Sequence, residues 1–208
     1  MKPLFIILLI AASLNVHAQS NKYTAAMQKT LDQMKQAKTT EDFQKASAAF
    51  ERIGDAEKDK WLPYYYAALS LSTAGWIDQN LDKDANAEKG LALLDKAKAI
   101  NDNSELYAVR NMLETQQMLV DPQSRYMSYG VKAAEDLEKG MAMDSANPRL
   151  YYLRGMSLFN TPEQFGGGKD KAKPVLEKAM SLYNSSTPQS LYPDWGKEQT
   201  RQALDQIK

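Results

Sequence analysis

The sequence predicts an all-α protein made of about four helical hairpins followed by a C-terminal capping helix. The 208 residues contain only five valines, are rich in Ala, Leu, Lys, Gln and Glu, and show no alternating β-branched run. Apolar residues instead recur at helical spacing. A similar pair of helical segments returns about every 40 residues, which is the mark of a repeat architecture.

The clearest hairpin spans residues 147–183. Asn147 followed by Pro148 is a helix start signal, because a capping side chain precedes a residue already held at helical φ. Pro162 and the glycines at 166–168 end this first helix and form a turn. The second helix has one apolar face at offsets 0, 4, 7, 8 and 11, formed by Ala172, Leu176, Ala179, Met180 and Tyr183.

The other helices follow from the same periodicity and from their caps. We expect them at residues 21–37, from the Thr39 cap to Gly54, and at 61–75, 87–100, 105–120, 129–143 and 194–208. Residues 76–86 and 121–129 are expected to be connectors. Pro174 is tolerated only in a first turn, so its helix is expected to begin after Lys169.

An internal repeat is visible in the second helix of each hairpin. A small, a large and a further residue stand at offsets 0, 4 and 7, in Ala46/Phe50/Ile53, Gly90/Leu94/Ala97, Ala133/Leu137/Gly140 and Ala172/Leu176/Ala179. The first residues of these four patterns are 46, 90, 133 and 172, so successive patterns are 44, 43 and 39 residues apart. The repeats therefore cover roughly residues 22–54, 59–102, 103–146 and 147–184, with the capping helix at 194–208.

This pattern resembles the second helix of the tetratricopeptide repeat. The first helices are similar to that family too, as in Tyr64, Ala67/Ala68, Leu71 and Gly75. The resemblance implies a right-handed superhelix whose concave groove binds a peptide or protein. Two features depart from the family: the period exceeds its usual length of about 34 residues, and the third repeat has Arg110, Asn111 and Glu114 where Leu, Gly and Tyr are usual.

Residues 1–18 have the pattern of a secretory signal peptide. Lys2 gives the positive start, residues 3–14 are apolar, and Val16 and Ala18 place compact residues before a cleavage site expected after Ala18. About a dozen apolar residues are too few to cross a bilayer, which needs about 20. We therefore expect an exported protein, periplasmic or secreted, with no stable membrane span after signal removal.

The chain has few groups that commonly carry catalysis. Its one histidine is His17, inside the expected signal, and it has no cysteine. Histidine bases, Ser-His triads, cysteine nucleophiles and ordinary zinc sites are thereby excluded from the exported part. We expect no enzyme activity, no cofactor and no metal. A carboxylate-based enzyme is the remaining catalytic alternative.

Two short motifs resemble ligand loops but fail at diagnostic positions. The glycines at 166–168 precede Lys169, but Asp170 stands where a phosphate loop needs Ser or Thr. The acidic run at 82–86 lacks the glycine and the final glutamate of a calcium loop, because Ala87 and Leu93 occupy those positions. Both segments are interpreted as connections between helices.

The expected partner is a protein or peptide. Lys plus Arg and Asp plus Glu both number 26, which argues against binding to nucleic acid. A structural subunit of a cell-envelope assembly is an alternative, and the sequence leaves the oligomeric state open. Arg110 and Arg154 are either donors to a partner's carboxylates or members of ion pairs within the protein. Such pairs would join Arg110 to Glu114 on one helix, or an arginine to Asp136 or Glu138 across the hairpin. The partner-binding residues are predicted to be Tyr65, Leu69, Arg110, Met112, Tyr152, Arg154, Met156 and Phe159. The alternative for the aromatic, Leu and Met residues of this set is that they form the core between helices.

Overall fold

The structure, a computed structural model, describes residues 21–187 and 189–207. This part of the chain is helical and contains no strand. The helices are α1 (21–36), α2 (Thr40–Glu57), α3 (Leu62–Ile77), α4 (Lys83–Ile100), α5 (Ser104–Val120), α6 (Pro122–Arg125), α7 (Val131–Met143), α8 (Pro148–Asn160), α9 (Lys169–Ser185) and α10 (Lys197–Asp205). A π-helical turn at Tyr126–Gly130 joins α6 to α7, and a 3-10 turn at Glu163–Phe165 follows α8.

Hairpins α3/α4, α5/α7 and α8/α9 pack one after another, and α2 packs on α3. The first helices of successive hairpins lie side by side. Gln116 of α5 donates to the Ser72 carbonyl of α3 at 2.7 Å, and Arg149 of α8 donates to Glu105 of α5 at 2.6 Å. Both bonds join residues 44 apart, so α3, α5 and α8 run parallel and in the same register. The all-α prediction is confirmed, whereas the right-handed superhelix stays a prediction.

The largest core cluster belongs to the first two and a half hairpins and surrounds α3, whose residues from Leu62 to Ser72 are all buried. Buried amide side chains form hydrogen bonds between neighbouring helices. Asn86 donates to the Leu71 carbonyl at 2.9 Å, and Asn111 donates to the Ala133 carbonyl at 2.8 Å. Buried amides need such partners, because an unpaired polar group costs about 1–3 kcal/mol.

The small residue of the repeat pattern permits close approach between helices. A Cβ on Gly90 would lie 2.7 Å from Leu113 Cδ1 of α5. In the fourth hairpin the glycine is on the first helix and the leucine is on the second: a Cβ on Gly155 of α8 would lie 2.6 Å from Leu176 Cγ of α9. The spacing that identified the repeats therefore marks positions where helices touch.

The predicted caps and the glycine turn are confirmed. The Thr39 hydroxyl accepts from the Asp42 amide at 3.1 Å while the Asp42 carboxylate accepts from the Thr39 amide, a complete capping box. Asn147 accepts from the Arg149 amide at 3.0 Å and caps α8. Gly166 and Gly168 have φ of 90° and 105°, values that favour glycine.

Several predicted helix ends were wrong. Helix α2 continues through Gly54 to Glu57, because the absent Cβ at Gly54 makes room for the Tyr64 ring. Helices α3 and α4 together take most of the connector expected at 76–86, and only residues 78–82 join them. The connector expected at 121–129 is helical as well, since Asp121 caps α6 and the π-helical turn follows it.

The last two helices also begin at residues other than those expected. Helix α9 begins at Lys169 with Pro174 inside it, because one missing backbone hydrogen bond costs less than the burial of Leu176 and its neighbours gains. Helix α10 begins only at Lys197, since Gly196 is left-handed and residues 189–195 are not helical.

In the described part of the chain, no helix combines the length and apolar character that crossing a membrane requires. The predicted signal peptide and its cleavage site lie outside the described residues.

Candidate functional site

Residues 189–196, here called the strap, lie across one face of the hairpin stack. We call this face the inner face; it carries Lys35 of α1, Trp61 just before α3, Tyr65 and Tyr66 of α3, and Arg149 and Tyr152 of α8. Tyr66 donates its hydroxyl proton to the Leu191 carbonyl at 2.9 Å, and Lys35 pairs with Asp194 at 3.1 Å. Leu191 has φ of 66°, so the strap accepts a left-handed backbone to keep these contacts.

Aromatic contacts hold the strap in place at Tyr192 and at Trp195. Tyr192 meets Trp61 edge-on, with ring centres 5.9 Å apart. Trp195 meets Tyr152 edge-on at 6.4 Å and donates its indole N–H to the Tyr65 hydroxyl at 2.8 Å. Burial raises the pKa of Tyr65 well above its usual value, so this hydroxyl stays neutral and can accept that bond.

A largely buried ion pair lies beside the strap. Arg149 donates from Nε to Glu105 at 2.6 Å, bonds the other carboxylate oxygen through Nη2, and donates from Nη1 to the Pro193 carbonyl at 3.1 Å. Asn147 adds a donor to Glu105 at 2.8 Å. Burial lowers the pKa of Arg149, but its hydrogen bonds and charge interaction with the Glu105 carboxylate raise it by more, so the net pKa is raised. This fork joins α5, α8 and the strap.

Beyond the strap the same helices present an apolar stretch. Leu69 and Trp76 follow Tyr65 at offsets 4 and 11, which places them on the same side of α3. Met112 and Leu119 follow Glu105 at offsets 7 and 14, and Met156 and Phe159 follow Tyr152 at offsets 4 and 7, which are also spacings that keep residues on one side of a helix. We define the apolar stretch as Leu69, Trp76, Met112, Leu119, Met156 and Phe159.

The apolar stretch is open to a ligand at several of its side chains. Trp76 is 42% exposed and Leu119 is 47% exposed, while Met112, Met156 and Phe159 are half-buried. Lys169 lies at its α8 end, with its ammonium 5.9 Å from the centre of the Phe159 ring and 2.8 Å from the Gln206 carbonyl. The apolar stretch therefore exposes most of its surface at Trp76 and Leu119 and has the Lys169 cation at its Phe159 edge.

Six of the eight predicted partner-binding residues lie on the inner face, and two do not. Tyr65 is fully buried beneath the strap and Leu69 is buried beside it, whereas Met112, Tyr152, Met156 and Phe159 keep some exposed surface. The two arginines point elsewhere. Arg110 pairs with Asp95 at 2.7 Å and with Asp136 at 3.6 Å, and Arg154 pairs with Glu138 at 2.8 Å.

Comparison with known proteins gives one informative match. No protein-family model matches the chain, and no curated protein matches it. The solved structure of the HusA haemophore from Porphyromonas gingivalis is 33% identical in sequence and superposes with a TM-score of 0.82. The alignment covers 89% of this chain and 92% of that chain. This chain belongs to the family of the HusA haemophore.

The relationship to HusA covers almost the whole chain and therefore concerns the complete helical array. It supports the all-helical architecture without reference to the tetratricopeptide family, to which no model assigns the chain. That resemblance stays an interpretation of the residue pattern. Among the residues that the structure describes, no group of three or more His, Cys, Asp or Glu side chains could hold a metal ion.

One pair of carboxyl groups in this HusA relative has perturbed acidity. Glu114 of α5 and Asp136 of α7 each bury an oxygen that has no hydrogen-bond donor. Burial and the neighbouring Asp136 carboxylate raise the pKa of Glu114 to about 8, and burial also raises the pKa of Asp136. Glu114 is only 6% exposed, so a substrate could reach it only if α5 and α7 separated.

Sequence reasoning missed the strap. Its residues Leu191, Tyr192, Pro193 and Trp195 are apolar or aromatic but lack helical spacing, and Pro193 disfavours a helix before it. This composition could have indicated an extended segment that buries aromatic rings. It could not have indicated which face the segment covers.

Proposed function

We propose that this protein is an exported, non-enzymatic porphyrin carrier that holds haem against the apolar stretch of its inner face. The observation that carries the proposal is the row of partly exposed Trp76, Met112, Leu119, Met156 and Phe159 side chains beside the strap. Membership in the family of a protein named as a haemophore supports the choice of ligand. The signal-like residues 1–18 support export.

The chemistry of the face fits a porphyrin. A porphyrin is a flat apolar macrocycle, and aromatic, Leu and Met side chains bind such surfaces by burial and by adapting their shape. Lys169 provides a cation for a peripheral carboxylate at the Phe159 edge. Burying the exposed halves of Trp76 and Leu119 contributes about 1–2 kcal/mol each at 25 cal/mol per Å².

The iron is not expected to contribute most of the affinity. The chain has no cysteine, and its one histidine is His17 in the expected signal peptide. Haem iron in proteins is usually held by His, Cys, Met or Tyr. Only the last two types stand near this face. We therefore propose that packing of the macrocycle provides most of the binding and that a metal-free porphyrin binds comparably.

The test is a titration of the purified protein with haemin and, separately, with metal-free protoporphyrin IX, followed by absorbance and tryptophan quenching. We expect affinities within about tenfold of each other. The double variant Trp76→Ser/Leu119→Glu should weaken both by at least about tenfold, since it removes over 1.4 kcal/mol. Both positions are partly exposed, so the fold should survive.

The matched control is Met143→Gln on α7. This methionine is 44% exposed but lies at the far end of a second helix of its hairpin. It should bind porphyrin like the unaltered protein. The proposal fails if neither porphyrin binds, or if the double variant and the control bind equally well. Binding of haemin alone would overturn the part of the proposal that makes iron dispensable.

A peptide ligand is the second candidate, and the strap itself favours it. Tyr66 and Arg149 donate to the backbone carbonyls of Leu191 and Pro193, so the inner face already binds the backbone of a non-helical chain segment. An exogenous peptide would have to displace the strap. A synthetic peptide with the sequence of residues 186–196 should then compete with the tethered segment, and this would appear as a change in tryptophan emission. Absence of any change at millimolar peptide would exclude this second candidate.

A further inference from the structure

A second surface lies at the start of the hairpin stack, far along the chain from the strap. Helices α1 and α2 enclose a groove of about 470 Å³. Its floor contains small and apolar side chains, and its walls follow one face of each helix: Lys22, Tyr23, Ala26, Lys29, Thr30 and Gln33 on α1, and Ala49, Arg52, Ile53, Ala56 and Glu57 on α2. From Lys22 to Gln33 the groove runs along α1 for about 16 Å, or three helical turns.

The groove is the place where a preceding hairpin would pack. Ala49 and Ile53 of α2 correspond to Leu93 and Ala97 of α4, which lie 44 residues later in the repeat. Leu93 is 2% exposed and Ala97 is fully buried, whereas Ala49 and Ile53 are only half-buried. Helix α3 is likewise buried throughout its first three turns, while α1 leaves one side open. The end of a repeat array either carries a cap or meets a partner.

The rim of the groove is cationic. Lys22, Lys29 and Arg52 are exposed there, and Glu57 is the one carboxylate beside them. None of the three cations forms an ion pair with another residue in the described part of the chain. By contrast, Lys96 of α4 pairs with carboxylates on the opposite side of α2. The groove therefore has an excess positive charge in a chain whose formal charge is zero.

We infer that this groove is a docking site for an acidic amphipathic helix of a protein partner. The groove lies where the helices of a preceding hairpin would pack, so its shape suits a helix. Its narrow apolar floor favours helix-in-groove binding. Acidic side chains on both flanks of such a helix would meet Lys22 and Lys29 on one wall and Arg52 on the other. A lipid surface fits less well, because three cations around a concave groove do not form a flat basic patch. The site is separate from the apolar stretch, so this inference does not depend on porphyrin binding.

The experiment uses a fluorescently labelled, 18-residue designed helical peptide with an Ala/Leu stripe and Glu on both flanks. Its matched controls are the same peptide with Gln and with Lys at the flanking positions. Fluorescence anisotropy should show binding of the Glu peptide and at least about tenfold weaker binding of the other two. Raising NaCl from 0.05 M to 0.5 M should weaken the Glu peptide further.

A charge-reversal variant locates the binding site. Lys22→Glu/Lys29→Glu/Arg52→Glu changes only exposed side chains and should weaken the Glu peptide at least about tenfold while leaving porphyrin binding unchanged. A control triple with the same change in net charge, Lys89→Glu/Lys173→Glu/Lys178→Glu, alters exposed lysines of α4 and α9. It should bind the Glu peptide with less than about threefold loss.

Three results would overturn the inference. The first is equal binding of the Glu and Gln peptides, and the second is equal weakening by the two triple variants. The third is a different occupant: either a salt-sensitive dimer of the protein alone in analytical ultracentrifugation, or binding to vesicles of anionic lipid that only the groove triple abolishes.

Discussion

Replacing Arg149 with methionine tests the role assigned to the ion pair beneath the strap. The side chains of Arg149 and Glu105 are 12% and 13% exposed, so the pair is largely removed from water. The variant keeps the length of the apolar stem but leaves the Glu105 carboxylate with Asn147 as its remaining side-chain donor. It also removes the bond to the Pro193 carbonyl.

The expected cost follows from these contacts. Breaking a buried pair by removing one partner costs about 3–5 kcal/mol, and the partial exposure of this pair favours the lower end, about 3 kcal/mol. With a urea slope of about 2.5 kcal/mol per M, the unfolding midpoint should fall by about 1.2 M. Circular dichroism at 222 nm is a suitable measurement, because the described chain is helical.

Arg154→Met is the matched control. Arg154 pairs with Glu138 at 2.8 Å, but these side chains are 44% and 66% exposed. Exposed pairs contribute about 0–1 kcal/mol, so the midpoint should fall by less than about 0.4 M. The double variant Glu105→Gln/Arg149→Met should recover part of the loss, because no uncompensated charge remains. Equal midpoints for the two single arginine variants would refute the reasoning.

Two further predictions concern α5, α7 and α8. Because burial and Asp136 raise the pKa of Glu114 to about 8, the folded protein keeps a proton that the unfolded chain releases near pH 4.5. The contribution of Glu114 to the free energy of unfolding should therefore decline as the pH rises from about 4.5 to 8. Glu114→Gln should therefore flatten the pH dependence of the urea midpoint in that window, and an unchanged slope would contradict the assignment. Gly155→Leu should cost about 1–3 kcal/mol by forcing apart α8 and Leu176, seen as a lower melting temperature. Its control is Gly166→Asn, at a positive φ with open space around it, which should cost less than 1 kcal/mol.

Local patterns were sufficient to predict most of the helices and part of the face. Asn147 and Thr39 cap helices as expected, because a cap is formed between residues two or three apart and is written in a short window. The repeat spacing likewise predicted that Met112 and Met156 stand at equivalent places. Helix ends were less predictable, as at Gly54, where packing of Tyr64 from the next helix decided that α2 continues.

By itself, the sequence determined that this chain is a series of helical hairpins that has no cysteine and has His17 as its one histidine. Periodicity and capping are local, so each helix could be identified without knowing its neighbours. Only the tertiary structure decided that the strap covers one end of the inner face, since Trp195 meets Tyr65 across 130 residues of chain. It also decided that Glu114 and Asp136 share one buried site. Such contacts depend on how whole helices pack, and no short window of sequence contains that information.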